Sequence, residues 1–321
     1  MKFIKYLIAL IICFALSVPA MAQRSTRSQG EVPPPKTKKA AQEQTVPHRS
    51  KKRSPQNTGV VAGQIRPRVF LNPGHGGHDS DDRPCPFYNE GMQARVEYYE
   101  SDSNLKGAMA MKDILRSRGY EVFMSRVNNT TDDDLNLFEI HQLALNSGAD
   151  VFFAIHSNSS GSATRRVNFP FAIYRGYDGG GTAEGSEELA GIVASNLADC
   201  EATSWSRGGL THGDWSFYRN RSGLGVFRWN KLPGILVENC FHDYQIERER
   251  LLNKDYCGLL ATINSRSLDK FFNRPAQQFG MVAGIVRYDY PRKGKRLTSF
   301  GKDAYQPLNG VPVELCDLEG N

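Results

Sequence analysis

The amino-acid sequence predicts an α/β fold: a mostly parallel, twisted sheet covered by helices, followed by a short β-rich C-terminal tail. From about residue 59 to 274, short apolar runs alternate with segments of helical periodicity, which is typical of strands joined by crossover helices. One run, residues 151–156, is almost continuously apolar, as expected of a strand that is covered on both faces. Together these observations predict one α/β domain over residues 59–274.

The predicted elements follow one another in a regular order. Residues 69–72 form the first predicted strand, which ends at the Pro73-Gly74 turn. The first helix is predicted over residues 104–118, because its apolar residues recur on one face before Gly119 ends it. The later predictions are a strand at 121–125, a helix at 135–146, strands at 151–156 and 171–174, a helix at 184–198, a strand at 234–238 and a helix at 245–272.

Residues 200–228 form a segment rich in Gly, Ser and aromatic residues, with little periodicity. A loop of this length in a compact domain is often a lid or a binding loop, although an excursion packed over the sheet is an equal alternative. We expect the segment to border the cleft of the domain, because it directly precedes the strand at 234–238.

The N-terminal segment has the layout of a cleavable signal peptide. Lys2 and Lys5 precede an apolar run at residues 6–18, and Ala20-Met21-Ala22 follows it. We therefore predict a signal peptide over residues 1–22 and a periplasmic or secreted protein. The apolar run is shorter than the roughly 20 residues of a membrane span, so no permanent membrane anchor is expected.

Residues 23–58 are predicted to be a basic, disordered linker, because they contain almost no apolar residues. Residues 1–58 carry a charge of +9, whereas the whole chain carries +6, so the remainder is about −3. The excess basic charge thus lies in the N-terminal residues 1–58. This argues against a nucleic-acid-binding groove on the folded part of the chain. It favours either weak attraction to an anionic envelope surface or a merely solvated spacer.

Cysteines and the C-terminal tail leave alternatives open. Cys13 lies in the predicted signal peptide, which leaves five cysteines: Cys85, Cys200, Cys240, Cys257 and Cys316. An oxidising compartment allows one or two disulfides among them, but the spacing does not indicate the pairing. Residues 279–321 contain two strand-like runs, at 282–286 and 307–315, and resemble the opening of a carboxypeptidase-regulatory-like β-sandwich. Because such a sandwich needs roughly 100 residues, this partial tail is expected to be an extra hairpin or a shortened domain.

Three predicted strands end in residues that can bind a metal or move a proton. His75 follows the first strand in a glycine-rich loop, His156 ends the strand at 151–156, and Glu238 ends the strand at 234–238. The carboxyl ends of strands line the ligand crevice of open α/β sheets. Any one of these histidines alone could be a structural core residue, but the three positions together predict a functional site.

At these positions the chain resembles the zinc-dependent N-acetylmuramoyl-L-alanine amidases of the type-3 fold, over roughly residues 68–272. The family's motifs occur in order: the histidine loop at 72–79, Glu100 to Leu105 at the start of a helix, Ala149-Asp150 before His156, Leu224 to Arg228, and Pro233 before Leu236-Val237-Glu238. The resemblance implies an exported peptidoglycan hydrolase. It also implies division-linked control by a regulatory protein partner, although no partner can be identified from the sequence.

The resemblance further implies a Zn²⁺ site formed by His75, Glu100 and His156, with Glu238 as general base. Three protein ligands of this kind leave one coordination position open for water, as in catalytic zinc sites. Glu90 and Glu97 are rival carboxylate ligands, but only Glu100 has the family's Asp and Asn-Leu spacing.

The implied reaction is hydrolysis of the amide bond between N-acetylmuramic acid and L-alanine in peptidoglycan. The alternatives are a zinc peptidase that acts on the stem peptides and an inactive module that only binds the cell wall. A glycan site would be expected to use aromatic residues such as Trp205, Trp215 or Tyr218, whereas a carboxypeptidase would need an arginine such as Arg228 for a terminal carboxylate.

Several positions depart from the family pattern or match no role in it. His141 stands where an arginine is usual, so a structural ion pair is in doubt there, and Asn239-Cys240 follows Glu238 where a small residue is common. The remaining histidines are weaker ligand candidates: His78, His212 and His242.

Overall fold

The structure is a computed structural model that describes residues 66–80, 82–89, 92–161, 167–203, 210–291, 303, 305–308 and 311–314. The predicted signal peptide and linker lie outside the described residues, as do Glu90, Trp205 and Cys316.

A six-stranded sheet forms the centre of the domain. Its strands are β1 (Arg68–Pro73), β4 (Glu121–Met124), β5 (Val151–Asn158), β6 (Phe171–Tyr174), β9 (Leu210–Gly213) and β10 (Gly234–Phe241). They lie in the order β4-β1-β5-β10-β6-β9. Every neighbouring pair is parallel except β10 and β6, which are antiparallel. The prediction of a mostly parallel α/β sheet is therefore confirmed.

Helices cover both faces of this sheet. They are α1 (Glu100–Ser117), α2 (Leu137–Ser147), α3 (Ser186–Asp199), α4 (Asp214–Phe217), α5 (Gln245–Leu251) and α6 (Lys254–Phe271). On one face α1 and α3 both contact α6, and alternate strand residues such as Val69 and Leu71 belong to their core. On the other face Phe70 and Phe152 belong to a separate core together with Ala144 of α2. The central strands are apolar throughout because both of their faces are buried.

Two predictions about elements within residues 59–274 were wrong. The single helix expected over 245–272 is divided into α5 and α6, because the side chain of Asn253 accepts a hydrogen bond from the Asp255 amide at 2.8 Å and starts a new helix. The segment at 200–228 is not only a loop, since its residues 210–213 form β9 at the sheet edge and 214–217 form α4.

Three two-stranded antiparallel sheets lie outside the main sheet. They consist of β2 (Phe87–Asn89) with β3 (Ala94–Val96), β7 (Gly176–Tyr177) with β8 (Gly180–Gly181), and β11 (Arg287–Pro291) with β12 (Tyr305–Pro307). In the C-terminal tail, residues 282–286 are not a strand, and the hairpin is built from the residues after them. None of the described helices combines the length and apolar character that a bilayer crossing needs.

Candidate metal centre

The sheet topology brings three sequence-predicted residues to one edge. Strands β1, β5 and β10 are adjacent and parallel, so their carboxyl ends meet. His156 and Glu238 are direct partners in the β5–β10 register, which puts their side chains on the same face of the sheet. His75 lies two residues beyond the end of β1.

The first residue of α1 completes a cluster at this edge. His75, Glu100 and His156 each offer one ligand atom, and these atoms all lie within 4.8 Å of one another. Glu100 Oε2 is 3.3 Å from His75 Nε2, and Glu100 Oε1 is 3.1 Å from His156 Nδ1. The structure thus brings together the three residues that the sequence resemblance implies as ligands.

Glu100 is held in place by hydrogen bonds from two elements. The side-chain amide of Asn104, one helical turn along α1, donates to Glu100 Oε1 at 3.1 Å, and the main-chain amide of Ser157 donates to the same oxygen at 3.0 Å. Burial opposes ionisation of Glu100. The charge of His75 and the hydrogen bonds of both imidazoles outweigh this effect and hold the pKa of Glu100 well below its usual range. The group is therefore a carboxylate at neutral pH.

The two histidines respond differently to this carboxylate. Burial lowers the pKa of His75. The charge of Glu100 and the hydrogen bond with Glu100 together raise it by a larger amount, so the pKa lies above its ordinary value. For His156, burial is the larger influence and its pKa falls below the ordinary value. A buried imidazole with a lowered pKa is neutral, which is the form that binds a metal ion.

The loop that carries His75 has a strained backbone. His75 has φ +62°, a left-handed conformation that costs a non-glycine residue roughly 1–3 kcal/mol. The next two amides are fixed by side chains: Gly76 N donates to Asp82 Oδ1 at 2.8 Å, and Gly77 N donates to Asn129 Oδ1 at 3.0 Å. These contacts hold His75 in its orientation toward the cluster.

Arg126 joins this loop to α1. Its guanidinium donates to the carbonyl oxygens of Pro73, Gly74 and Ser101, at 3.1, 3.1 and 2.9 Å. Burial lowers the pKa of Arg126 to about 10. Arg126 therefore holds the histidine loop in a fixed position relative to Glu100.

Glu238 lies beside the cluster but is not a member of it. No described group donates a hydrogen bond to its buried Oε2 atom. Burial raises the pKa of Glu238 well above the usual value, and the negative charge of Glu100 adds to this effect. Tyr218 is close enough to respond to it: burial raises the pKa of Tyr218, and the charge of Glu238 raises it further. The strand register also joins the segment that carries Tyr218 to the site, because Leu210 pairs with Phe171, which in turn pairs with Glu238.

The cluster fits a divalent metal ion. Two ligand atoms held about 2.0–2.1 Å from zinc in a tetrahedron stand about 3.4 Å apart, and His75 Nε2 and Glu100 Oε2 are separated by 3.3 Å. Two imidazoles and one carboxylate form a donor set that suits zinc and leaves room for water or substrate. The unpartnered Oε2 atom belongs to Glu238, whose side chain lies on the same face of the sheet as that of His156.

The other singled-out residues take less central positions. His78 pairs with Asp102 at 3.0 Å and His212 with Asp178 at 3.1 Å, both on the surface. Arg228 is exposed and stacks on the Trp229 ring.

His242 is closer to the cluster than the sequence indicated. It is buried, and its Nδ1 lies 3.8 Å from Glu100 Oε2 and 2.9 Å from the Ser157 carbonyl oxygen. His242 is therefore a buried neighbour of Glu100, and its position after the end of the predicted strand 234–238 gave no sign of this proximity.

Several other residues that the sequence singled out lie outside the cluster. The rival ligand Glu97 is exposed and pairs with Arg95 at 3.0 Å. His141 is buried in α2 and forms no ion pair with any described residue. The four described cysteines, Cys85, Cys200, Cys240 and Cys257, are all free thiols.

Asp214 anchors the segment that carries Trp215 and Tyr218. Its fully buried carboxylate accepts hydrogen bonds from Gly176 N at 2.9 Å, Leu224 N at 3.0 Å and Arg175 Nη1 at 2.8 Å. Arg175 also lies over the Trp215 ring, 5.0 Å from its centroid. Trp215 is thereby fixed by Arg175, and Tyr218 is held by a hydrogen bond from its main-chain amide to the Asp214 carbonyl oxygen at 3.0 Å.

Comparison with known proteins agrees with this geometry. The family model described as N-acetylmuramoyl-L-alanine amidase matches residues 69–269. The sporulation-specific N-acetylmuramoyl-L-alanine amidase of Bacillus subtilis is 28% identical over 207 residues, which cover 64% of this chain and 68% of that protein.

Solved structures agree as well. An N-acetylmuramoyl-L-alanine amidase from Clostridium difficile 630 superimposes with a TM-score of 0.51 at 26% identity, covering 65% of this chain and 97% of the other. The amidase AmiC2 of Nostoc punctiforme has a TM-score of 0.51 at 21% identity, covers 66% of this chain and 100% of the other, and supports the fold.

Proposed function

Because the chain belongs to the family of N-acetylmuramoyl-L-alanine amidases and is a peptidoglycan hydrolase, we propose that it is an exported zinc enzyme. Its target is the amide bond between the lactyl group of N-acetylmuramic acid and L-alanine. The observation that carries the proposal is the approach of His75, Glu100 and His156 to within 4.8 Å at the strand edge where Glu238 lies.

His75, Glu100 and His156 would hold the zinc ion. When bound, zinc acidifies a water molecule and polarises the scissile carbonyl. The chain's own contribution is to fix the ligands: Asn104 and Ser157 orient Glu100, and Asp82 holds the loop of His75. These hydrogen bonds also direct the carboxylate toward the two imidazoles, which favours a compact site over alternative arrangements.

Glu238 would move the proton. It accepts a proton from the attacking water at its free Oε2 atom and delivers it to the nitrogen of the departing L-alanine. Burial and the charge of Glu100 raise the pKa of Glu238, which makes its carboxylate a stronger proton acceptor. No serine or cysteine nucleophile is needed in this scheme.

The surroundings of the site suit a glycan-linked substrate. Tyr218 lies close enough to Glu238 for its pKa to respond to the charge of that residue. Trp215 is less available to a sugar ring, because Arg175 and Arg221 lie over its ring and Tyr177 packs edge-on against it with ring centroids 5.2 Å apart. We propose Tyr218 as the aromatic residue on the side of the cleft that receives N-acetylmuramic acid.

The sequence of the N-terminal segment supports export to the cell envelope. Residues 1–22 have the layout of a signal peptide, and the basic residues 23–58 follow it. A peptidoglycan substrate requires the enzyme to act outside the cytoplasm, which agrees with that layout.

The test is digestion of purified peptidoglycan followed by mass analysis of the released products, with zinc and with chelator. The proposal predicts stem peptides that begin with a free L-alanine amine, formed only in the presence of zinc. Peptides trimmed at other bonds would instead indicate a zinc peptidase. Binding to the wall without any product from a zinc-loaded protein would indicate a binding module.

A further inference from the structure

Arg83 lies beside the metal cluster without belonging to it. The preceding residue, Asp82, accepts a hydrogen bond from Gly76 N through its side chain at 2.8 Å and from Glu100 N through its carbonyl at 3.0 Å. Asp82 therefore joins the loop of His75 to the first residue of α1. Arg83 follows directly and sits at the rim of the site.

Arg83 is exposed and has no partner in the part of the chain that the structure describes: it makes no hydrogen bond, ion pair or ring contact there. The arginines with structural roles differ in this respect. Arg126 donates to main-chain carbonyls, and Arg175 pairs with the buried Asp214 at 2.8 Å. The guanidinium of Arg83 is thus available for a ligand.

The charge of Arg83 reaches three groups of the site. Burial and the charge of Glu100 have larger effects on the pKa values of His75, His156 and Glu238. The charge of Arg83 has a smaller effect and lowers each of these pKa values. The two hydrogen bonds of Asp82 place Arg83 next to both the loop of His75 and the first residue of α1. Arg83 is therefore a neighbour of the cluster, and its charge influences groups on three different elements.

The backbone at Arg83 is strained, with φ +55°, a left-handed conformation that is costly for an L-residue. The guanidinium that it carries can bind a carboxylate of the substrate through two parallel hydrogen bonds.

We propose that Arg83 is a specificity-determining residue that binds a carboxylate on the peptide side of the substrate. The inference rests on the proposed amidase function. The carboxyl group of N-acetylmuramic acid is consumed in the scissile amide, so the glycan side offers no anion there. A residue of the stem peptide beyond L-alanine must supply the carboxylate.

The test uses two synthetic N-acetylmuramoyl-L-alanyl dipeptides that differ only in whether the residue after L-alanine carries a free carboxylate or its amide. The values of kcat and KM are measured for the zinc-loaded wild type, Arg83→Gln, Arg83→Lys and the control Arg228→Gln. Glutamine is also an L-residue with a side chain, so the strain of the positive φ stays the same. The substitution therefore removes only the charge.

The expected wild-type preference for the carboxylate substrate is about tenfold to a hundredfold in kcat/KM. Arg83→Gln removes this preference, mainly by raising KM for the carboxylate substrate, and Arg83→Lys restores part of it. Arg228→Gln keeps the wild-type preference.

An equal loss on both substrates in Arg83→Gln, accompanied by a shifted pH profile, would overturn the inference, because Arg83 would then act on Glu238 or on the metal. A wild type without preference, or a loss of preference in Arg228→Gln, would overturn it as well, while leaving the amidase function intact. If the zinc-loaded wild type releases L-alanyl peptide from neither substrate and from no peptidoglycan, the proposed function fails and this inference fails with it.

Discussion

Gly74 and His156 approach so closely that a β-carbon on residue 74 would lie 2.0 Å from Cε1 and 2.1 Å from Nε2 of the imidazole. The hydrogen bond from Gly74 N to the Ile155 carbonyl oxygen at 3.0 Å fixes this approach. The absence of a side chain at residue 74 is therefore what lets the second histidine turn toward Glu100.

Gly74→Ala is expected to displace His156 and weaken zinc binding at least tenfold, because a methyl group cannot share the space of the ring. The measurement is a zinc titration against a chromophoric chelator. Gly191→Ala in α3 is the control, since beyond its chain neighbours and its own helix backbone nothing lies within 4 Å of the added β-carbon. Unchanged zinc affinity in Gly74→Ala would contradict the close approach.

Asn104→Ala removes the amide that holds Glu100 Oε1 at 3.1 Å and also contacts the Gly74 carbonyl oxygen at 3.3 Å. Loss of such a supporting hydrogen bond typically lowers metal affinity or activity about 10- to 100-fold. Competitive zinc titration and kcat measurements check this.

The matched control for Asn104 is Asn196→Ala, which removes a helix amide bonded to Ser267 at 2.9 Å, away from the cluster. Its zinc affinity should remain that of the wild type. An equal effect of the two substitutions would mean that Asn104 contributes only to general stability.

Zinc is expected to raise the melting temperature of the wild type, because it binds the folded cluster and not the unfolded chain. At a free concentration one hundred times the Kd, the stabilisation is about 2.7 kcal/mol, or roughly 5–10 °C for a domain of this size. Differential scanning calorimetry measures it. His156→Ala should abolish the shift, whereas His212→Ala, whose ring pairs with Asp178, should retain it.

Asp214→Asn should loosen the segment that borders Glu238. The substitution leaves Arg175, whose side chain is 14% exposed, without its ion-pair partner, and breaking a buried pair in this way costs about 3–5 kcal/mol. Urea denaturation reports the loss, and hydrogen exchange should accelerate over residues 214–224. Asp199→Asn, at the exposed end of α3, should change neither.

His141 should make the protein less stable in mild acid. Burial lowers the pKa of His141 below its ordinary value of 6.5, and the charge of Lys231 lowers it further. The folded state thus binds this proton less readily than the unfolded chain, so its contribution is complete above pH 6.5 and declines as the pH falls toward the folded pKa. Urea denaturation of the zinc-loaded protein between pH 7 and 5 should give a flatter dependence for His141→Leu; an identical slope would exclude His141 as the cause.

The sequence predicted the central sheet well because its strands are apolar on both faces. The run at 171–174 coincides with β6, and the strands before His156 and Glu238 start where predicted. The strand β9 escaped detection because Leu210–Gly213 contributes backbone hydrogen bonds at an edge and little apolar surface. The break at Asn253 was masked by apolar periodicity that continues across it.

Only part of the site could be predicted from the sequence, because several of its contacts join segments that are far apart in the chain. Parallel topology alone brings His75, His156 and Glu238 to one edge, and the spacing of Glu100 and Asn104 by one helical turn could have indicated their hydrogen bond. The roles of Asp82, Arg126 and His242 depend on contacts between segments far apart in the chain. Those contacts have no local sequence signal.

The role of Glu238 is tested by comparing zinc content and peptidoglycan hydrolysis in the wild type and in Glu238→Gln, with the exposed Glu188→Gln as control. Glu238→Gln is expected to bind zinc like the wild type while kcat falls about 10²- to 10⁴-fold, because only the proton transfer is lost. A Glu238→Gln enzyme that retains zinc and full activity would show that Glu238 is not the general base.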